Sequence, residues 1–408
     1  MSAVLAPVLA AGGHPAIVPR LVVPEALAGQ LTLDEERELG TYGPACSDDL
    51  IAELELAGLR GRGGGAFPAH RKWRAVAAAP GPRVVVANGE EGEPASAKDQ
   101  WLLVHRPHLV LDGVFRAAAA VGAARAVIYL AHPATVEAVE AAIAELPSTP
   151  RGLRLDLHVV EPSYVAGEET AACRAIDGGP ALPVAKPPRP FEQGVGGRPT
   201  LVANVETLAH AAWIGRHGAA AYRVYGNERS PGTTLVTLGG ACRRPGVYEV
   251  PFGETFGDLF AAVAGGFSAP PAALVMGGWF GGLLATARLG VACCYDAVRD
   301  AGSGLGCGAV TVLGGDAEPL AEAAEIAAWF AEQSARQCGV CIRGTAAIRD
   351  TLASLAAGTA PPSAVDDLRR WGATLPGRGA CGLLDGAAAL ARTAVRELDT
   401  SSEKGVTE

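Results

Sequence analysis

The stretch RVVVANGEEGEPASAKD, residues 83–99, decides the fold of the first half of the chain. The β-branched run Arg83–Ala87 predicts a buried strand, and a loop with Glu90, Glu91 and Glu93 follows it directly. Carboxylates this close repel one another unless they bind something, and ligands in open α/β sheets usually lie at strand carboxyl ends. The sequence therefore predicts a binding loop here, with a solvated acidic loop as the alternative.

Strands and helices alternate on the carboxyl-terminal side of this stretch. Ala126–Leu130 and Leu153–Val160 predict two more strands, and Thr135–Leu146 predicts a helix with Thr135 as its N-cap. Such alternation is typical of an α/β layer architecture.

Two further regions have different patterns. From Thr233 the sequence predicts a strand, a glycine-containing turn, a second strand and a helix, which favours a small β-grasp domain reaching about Leu313. From Asp316 onward the pattern is helical, and Ser363 with Asp366 forms a capping-box signature. Four helices forming a small bundle are predicted at about residues 318–334, 343–357, 363–374 and 383–398.

These patterns divide the chain into five segments. They are an N-terminal extension (1–34), an α/β domain (35–228), a β-grasp domain (229–315), a helical bundle (316–398) and a disordered tail (399–408).

Composition excludes several classes of protein. A net charge of −9 over 408 residues leaves no basic stripe to neutralise a row of phosphates, which argues against nucleic-acid binding. The apolar runs are far shorter than the roughly 20 residues of a membrane helix. The first twelve residues contain no Lys or Arg, so no secretory signal is predicted. We expect a cytoplasmic location, which includes the periphery of a membrane complex.

Nine cysteines without a secretory signal suit a reduced compartment and metal ligation better than disulfides. Cys338 and Cys341 form a short-spaced pair. We interpret the scattered cysteines as small buried hydrophobic residues. These are Cys46, Cys173, Cys242, Cys293, Cys294 and Cys307.

A glycine run precedes the acidic loop. Residues 58–68 read GLRGRGGGAFP, and consecutive glycines let backbone N–H groups approach a phosphate or a flat ring closely. Arg62 and Lys72 can balance negative charge there. A flexible surface loop is the alternative interpretation.

Two later motifs offer hydroxyl, amide and carboxylate groups where helices are expected to begin. They are YVAGEET at 164–170 and GRPTLVANVET at 197–207. A helix N-terminus also favours anions such as phosphate.

In this order and at these separations, the four motifs resemble the flavoprotein subunit of respiratory complex I and its relatives in NAD-linked hydrogenases and formate dehydrogenases. The resemblance covers residues 35–398. It implies a Rossmann-like FMN domain, a β-grasp (SLBB-like) domain and a C-terminal helical bundle of the iron–sulfur type. It also implies an FMN-dependent oxidoreductase that takes hydride from NADH and passes single electrons to an iron–sulfur partner subunit. A flavin relay that does not use NADH and a non-catalytic scaffold are the alternatives.

The resemblance also implies roles for individual residues. Glu93 and Glu168 lie nearer the nicotinamide and are the candidate catalytic residues, while Phe67 and Lys186 contact the dinucleotide. Glu90 stands where the family usually has Asp. The remaining cofactor-binding candidates surround FMN: Gly61, Arg62, Gly63, Gly64, Lys72, Asn88, Glu90, Glu91, Gly167, Glu169, Asn204 and Thr207.

The chain departs from the family at the cluster motif. The family has three ligands spaced C-x2-C-x2-C and one about forty residues later, whereas here Ala335 occupies the first position. Cys338, Cys341 and Cys381 are the remaining metal-ligand candidates, and a methyl group cannot ligate iron. Three outcomes stay open: a three-thiolate [4Fe-4S] or [3Fe-4S] cluster, rescue by another group such as Cys307, or no cluster.

A second departure concerns the dinucleotide. Relatives stack it against several phenylalanines, but Ala75 and Arg189 occupy two of those positions here. Each lost ring removes stacking worth about 0.5–1.5 kcal/mol, so NADH affinity is expected to fall by roughly ten- to a hundredfold. Arg189 can instead pair with a phosphate, including a 2′-phosphate, which keeps NADPH as an alternative donor.

Overall fold

The computed structural model describes residues 9–404. Its strands are β1 (Ala11–Gly13), β2 (Val84–Asn88), β3 (Arg125–Leu130), β4 (Arg154–Val159), β5 (Thr200–Asn204), β6 (Thr233–Gly240), β7 (Gly246–Pro251), β8 (Pro271–Met276), β9 (Gly282–Ala285) and β10 (Ala309–Gly314). Its α-helices are α1 (Leu33–Glu38), α2 (Leu50–Ala57), α3 (Ala69–Ala78), α4 (Lys98–His105), α5 (Pro107–Val121), α6 (Pro133–Glu145), α7 (Glu169–Ile176), α8 (Val205–Tyr222), α9 (Phe256–Ala262), α10 (Tyr295–Asp300), α11 (Pro319–Glu332), α12 (Gly339–Ala356), α13 (Ala364–Thr374) and α14 (Leu383–Lys404).

The first sheet contains four parallel strands in the order β4-β3-β2-β5. Its central strands β2 and β3 are almost entirely buried, as expected of parallel strands that helices cover on both faces. The chain runs outward from β2 to β3 and β4, and then returns to place β5 on the other side of β2. The strand order therefore reverses between β2 and β5, and this is the place where open α/β sheets usually bind ligands.

The predicted α/β architecture is confirmed, with strand ends shifted by a residue or two. One local prediction is wrong, because α6 begins at Pro133 and its N-cap is His132, not Thr135. Proline suits the first helical turn, where its missing N–H costs nothing. The Thr135 hydroxyl instead donates to the carbonyl of His132 at 2.7 Å.

The second sheet has six strands in the order β1-β7-β6-β10-β8-β9. The predicted hairpin is β6 with β7, and α9 follows it as expected. The edge strand β1 comes from the N-terminal segment and pairs parallel with β7. The carboxylate of Glu249 also accepts the N–H groups of Arg20, Leu21 and Val22 at 2.9–3.1 Å. The described part of residues 1–34 is therefore built into this sheet.

The C-terminal region is helical, as predicted, and α11, α12, α13 and α14 share one apolar core. The capping-box prediction is wrong, because Ser363 has helical backbone angles and makes no side-chain cap contact. An N-cap needs extended backbone to turn its hydroxyl onto the first N–H groups. The predicted disordered tail is wrong for residues 399–404, which continue α14, and residues 405–408 lie outside the described residues.

Across residues 9–404, no helix combines the length and the apolar character that crossing a bilayer requires.

Candidate functional site

The site is centred on two asparagines that end neighbouring strands. Asn88 ends β2 and Asn204 ends β5, and the two are Cα partners in the parallel register. Both side chains line a cavity of about 280 Å³, near the lower end of the range of about 300–1,000 Å³ for ligand pockets. The reversal of strand order thus places two amide side chains side by side at the cavity floor.

Segments from all three parts of the fold form the walls of this cavity. The second sheet contributes the loops after β8 and α10, and the helical region contributes the start of α14. The lining residues are Gly63, Gly64, Gly65, Asn88, Glu90, Glu91, Gly92, Glu93, Asp99, Tyr164, Val165, Gly167, Glu168, Asn204, Gly277, Phe280, Gly306, Cys307, Cys381, Gly382 and Leu383.

The glycine-rich loop is held at its base and bare at its tip. The N–H of Arg62 donates to the Thr207 hydroxyl at 2.9 Å, and the N–H of Gly61 donates to the Phe67 carbonyl at 2.8 Å. Gly64 has φ +98°, a conformation that only glycine adopts without strain. A Cβ on Gly65 would meet nothing within 4 Å, so the tip leaves space for a ligand to lie against the backbone.

The Arg62 side chain points away from the cavity. Its guanidinium is buried, donates to the Tyr222 hydroxyl at 2.9 Å and the Thr233 carbonyl at 3.1 Å, and lies 4.8 Å from the Phe252 ring centroid. Arg62 therefore fixes the loop against the second sheet.

The three loop carboxylates have three separate environments. Glu91 accepts the Ser96 hydroxyl and the N–H groups of Asp99 and Gln100 at 2.5–3.2 Å, which satisfies the first donors of α4. Glu93 accepts the N–H of Trp279 from the second sheet at 2.5 Å. Glu91 and Glu93 thus have hydrogen-bond partners in different parts of the fold.

Glu90 is the carboxylate that points into the cavity without a hydrogen-bond partner. It is 6% exposed, and neither of its oxygens has a partner of good geometry. Burial raises its pKa to about 8, although the N–H groups of Ser163 and Gly92 act in the opposite direction. A Cβ on Gly167 would come within 2.3 Å of the carboxylate, so glycine there gives Glu90 its room. Such a buried, unpaired group suits a bound ligand with a polar edge.

Glu93 is a second wall carboxyl with a raised pKa. Burial raises its pKa to about 7, and the N–H groups of Trp279 and Phe280 only partly oppose this shift. Burial thus raises the pKa of two wall carboxyls toward neutral pH, and this lowers the cost of bringing an anionic ligand into an acid-lined cavity.

A buried charge network lies directly behind Asn204. Lys98 is 1% exposed and its Nζ lies 2.7 Å from Asp99, 3.0 Å from Glu206 and 3.4 Å from the Asn204 side-chain oxygen. Burial disfavours the charge on Lys98, but Asp99 and Glu206 outweigh it and raise its pKa. Burial likewise opposes ionisation of Glu206, but Lys98, His210 and Arg62 lower its pKa to about 2. This network escaped the sequence-based site prediction, although Lys98 and Asp99 are the last two residues of the acidic motif.

Asn204 and Glu168 each cap a helix and also line the cavity. Asn204 is the N-cap of α8 through the N–H of Glu206 at 3.0 Å, and its amide donates to Asp99 at 2.6 Å. Glu168 is the N-cap of α7 and lines the cavity at the same time. The expected helix starts in both motifs are confirmed, and α8 directs its N-terminus toward the cavity.

A chain of ion pairs lies beside the cavity. Lys72 pairs with Glu169 at 2.9 Å, Lys186 pairs with Glu168 at 2.5 Å, and Arg189 lies 3.9 Å from Glu169. Burial opposes the charge on Glu169, but Lys72 and the other cations nearby lower its pKa. Phe67 is half exposed and is not part of the cavity wall. The predicted candidates outside the wall are Gly61, Arg62, Phe67, Lys72, Glu169, Lys186 and Thr207.

A smaller cavity brings together the three metal-ligand candidates. Cys338, Cys341 and Cys381 line it together with Ser334 and Ala335, and Cys381 also lines the larger cavity. Cys307 lines only the larger one of the two. Of the scattered cysteines, Cys173, Cys242, Cys293 and Cys294 are buried as expected, whereas Cys307 is partly exposed and Cys46 is exposed, contrary to the prediction.

The larger cavity fits FMN by the chemistry of its wall. A flat ring can lie against the bare glycine tip, polar ring edges can meet Asn88 and the unpaired Glu90, and a phosphate suits the N-terminus of α8. No Lys or Arg lines this cavity among the described residues.

Comparisons with known proteins identify both regions. The profile of the Nuo51 FMN-binding domain matches residues 54–213, and that of the NADH-ubiquinone oxidoreductase-F iron-sulfur binding region matches residues 321–404. The chain is 32% identical over 375 residues to an NADH-quinone oxidoreductase subunit of Rhizobium meliloti, covering 88% of each protein. It is 31% identical over 360 residues to mitochondrial NADH dehydrogenase [ubiquinone] flavoprotein 1 of Dictyostelium discoideum, covering 84% of this chain and 75% of that protein.

Solved structures give the same result for the fold. A crystal structure of NAD+-reducing [NiFe]-hydrogenase in the H2-reduced state matches with a TM-score of 0.78 and 32% identity. The match covers 86% of this chain, which spans only 61% of that hydrogenase chain.

Proposed function

Because the chain belongs to the family of flavoprotein subunits of NADH-quinone oxidoreductase and complex I, we propose that it takes a hydride from NADH and passes single electrons to an iron–sulfur partner. The observation that carries this proposal is the register pairing of Asn88 with Asn204 beneath the bare glycine tip. It creates a cavity for a flat polar cofactor at the point where strand order reverses. Cys381 lines this cavity and the smaller thiol-lined one, so we expect electrons to leave the flavin toward the thiols.

FMN, when bound, accepts a hydride in one two-electron step and releases electrons singly. The protein must hold it, keep its edges hydrogen-bonded and handle protons. Asn88, Asn204 and the N-terminus of α8 would hold it, while Gly64 and Gly65 would allow backbone contact. Glu93, whose pKa is about 7, is the wall residue best suited to exchange a proton with solvent at neutral pH.

The dinucleotide side is the less complete part of the proposed site. Phe67 presents a half-exposed ring, and Lys186 and Arg189 supply cationic groups close to Glu168 and Glu169. These cations suit the phosphates of a dinucleotide. A partly paired lysine and an exposed arginine favour a weaker site than one closed by several aromatic rings.

The proposed partner is a protein that contains an iron–sulfur centre and docks where the thiol-lined cavity reaches the surface. Arg336 and Gln337 are exposed there, next to Cys338. We expect the protein to lie in the cytoplasm, at the periphery of a membrane assembly if it has one.

Anaerobic stopped-flow mixing with NADH and NADPH tests the proposal. Purified chain that contains FMN should lose its flavin absorbance with NADH, and more slowly with NADPH. Purified protein without flavin, which also fails to bind added FMN, would contradict the proposal. Flavin that neither dinucleotide bleaches would favour a relay between protein carriers.

A further inference from the structure

The small thiol-lined cavity lies at the starts of two helices of the C-terminal region. Cys338 is the N-cap of α12, Cys341 lies in its first turn, and Cys381 immediately precedes α14. The N–H of Ala380 donates to Cys338 Sγ at 3.4 Å. The three thiols therefore lie at the starts of two helices around one cavity.

The arrangement does not suit a single metal ion. Among the described residues, no group of three or more His, Cys, Asp or Glu side chains converges on one ion position. Cys338, Cys341 and Cys381 nevertheless surround one cavity. An iron–sulfur cluster spreads its ligands over several irons, so it fits three thiols that share a cavity without meeting at a point.

The first ligand position of the motif has no thiol. Ala335 stands there and lines the cavity, but it offers only a methyl group. Ser334 is the adjacent hydroxyl, but its Oγ lies 3.6 Å from Cys341 Sγ and is hydrogen-bonded to that sulfur. The Ser334 hydroxyl therefore lies beside Cys341 Sγ and does not provide a separate ligand position.

Rescue by another cysteine does not match the structure. Cys307 lines the larger cavity and is absent from the wall of the smaller one. The other five cysteines are also absent from the wall of the smaller cavity.

We propose that this chain binds a cluster through Cys338, Cys341 and Cys381 only, so that the iron facing Ala335 has no protein ligand and is exchangeable. The inference deepens the proposed function, because it specifies the electron acceptor within the chain. Arg336 and Gln337 are exposed beside this corner, which gives the open iron access to water or a small thiol. The cluster should lose that iron on mild oxidation and take it back when ferrous iron and a reductant are supplied.

Anaerobic reconstitution of the full chain with iron and sulfide tests this ligand set. Iron per chain and EPR spectra are compared before and after one equivalent of ferricyanide, for the natural chain and for Ala335→Cys. In the natural chain, one electron passes to ferricyanide as one Fe²⁺ leaves, and the signal of an oxidised three-iron cluster appears. That signal before oxidation would support the same ligand set. Ala335→Cys should keep all four irons and show no such signal.

Two further variants exclude other fourth ligands. Ser334→Ala and Cys307→Ala should lose iron at the rate of the natural chain. Faster iron loss in either variant would overturn the proposal, because that residue would then be a ligand. The proposal would equally fail if the natural chain bound no iron while Ala335→Cys did, or if both kept the fourth iron equally well.

Flavin content and NADH bleaching, measured on the same samples, keep the two proposals separate. A chain with normal flavin chemistry and no iron would contradict the three-thiolate cluster alone. A chain with iron and no flavin would contradict the proposed function alone.

Discussion

The cavity at the ends of β2 and β5 and the cavity at the start of α12 differ in what their residues do for the fold. In the first, Asn204 caps a helix, Glu91 satisfies the start of α4, and Thr207 holds the glycine loop. In the second cavity, the Ala335 side chain packs against the apolar core of the bundle. A residue with a second, structural role is costly to replace, whereas a ligand that serves only a cluster can become a methyl without harm to the fold. We infer that this difference explains why the second site could lose a thiol.

The largest effect that would break this comparison is expected at Lys98. Lys98→Met removes the buried cation that Asp99 and Glu206 share and leaves only Arg62 beside Glu206, which should lower the free energy of unfolding by about 3–5 kcal/mol. Urea denaturation of the flavin-free chain measures it. Arg343→Met, on the exposed side of α12, is the control and should change stability by less than about 0.5 kcal/mol. Similar small effects of both changes would show that the network does not support the cavity.

The second effect concerns Gly64. Gly64→Ala places a Cβ on a backbone with φ +98°, a strain of about 1–3 kcal/mol that should weaken FMN binding by roughly ten- to a hundredfold. Fluorescence titration of the flavin-free chain with FMN gives the dissociation constant. Gly81→Ala, at φ +80° in open space, imposes similar strain away from the cavity and should leave the constant unchanged. Equal weakening in both variants would mean that general destabilisation causes the loss.

The strands and the acidic loop could be predicted because their signals are local. The run Arg83–Ala87 and the turn after it show where a strand ends, and a strand end in an α/β pattern predicts a ligand. The pairing of Asn88 with Asn204 could not be predicted, because register depends on sheet order. The contributions of Gly277, Gly306 and Cys307 come from another sheet and have no sequence signal near the motifs.

The roles of the charged residues were the hardest to predict. Arg62 and Lys98 are positive groups within recognisable motifs, yet both pair with the buried carboxylate of Glu206. Glu90 and Glu91 are adjacent in sequence, but one points into the cavity and the other satisfies a helix start. The packing around each side chain decides its role, and packing cannot be predicted from composition or motif spacing.

A third effect tests the unpaired carboxyl in the first cavity. A pKa of Glu90 near 8 means that this carboxyl binds more protons in the flavin-free native chain than in the unfolded chain between about pH 4.5 and 8. Its contribution to stability should therefore be fully present below that range and fall as pH rises, by at most about 1.4 kcal/mol per pH unit. Urea unfolding at several pH values measures the slope. Glu90→Gln should flatten it, and the exposed Glu137→Gln should not. A slope unchanged in Glu90→Gln would contradict the assignment.

The smallest effect concerns the dinucleotide side. Arg189 is exposed, and Arg189→Phe should restore one stacking ring worth about 0.5–1.5 kcal/mol, lowering the NADH dissociation constant roughly two- to tenfold. NADH and NADPH affinities of the flavin-loaded chain are compared. If Arg189 reads a 2′-phosphate, the variant should lose NADPH affinity at the same time. A variant that binds both dinucleotides as the natural chain does would place Arg189 outside the site.

A crystal structure of the full chain with FMN is the measurement that tests the central claim most directly. The account predicts the flavin ring in the cavity above Asn88 and Asn204, against the backbone of Gly64 and Gly65, with Glu90 hydrogen-bonded to the ligand. Protein side chains filling that cavity at saturating FMN, or FMN bound elsewhere on the chain, would contradict it.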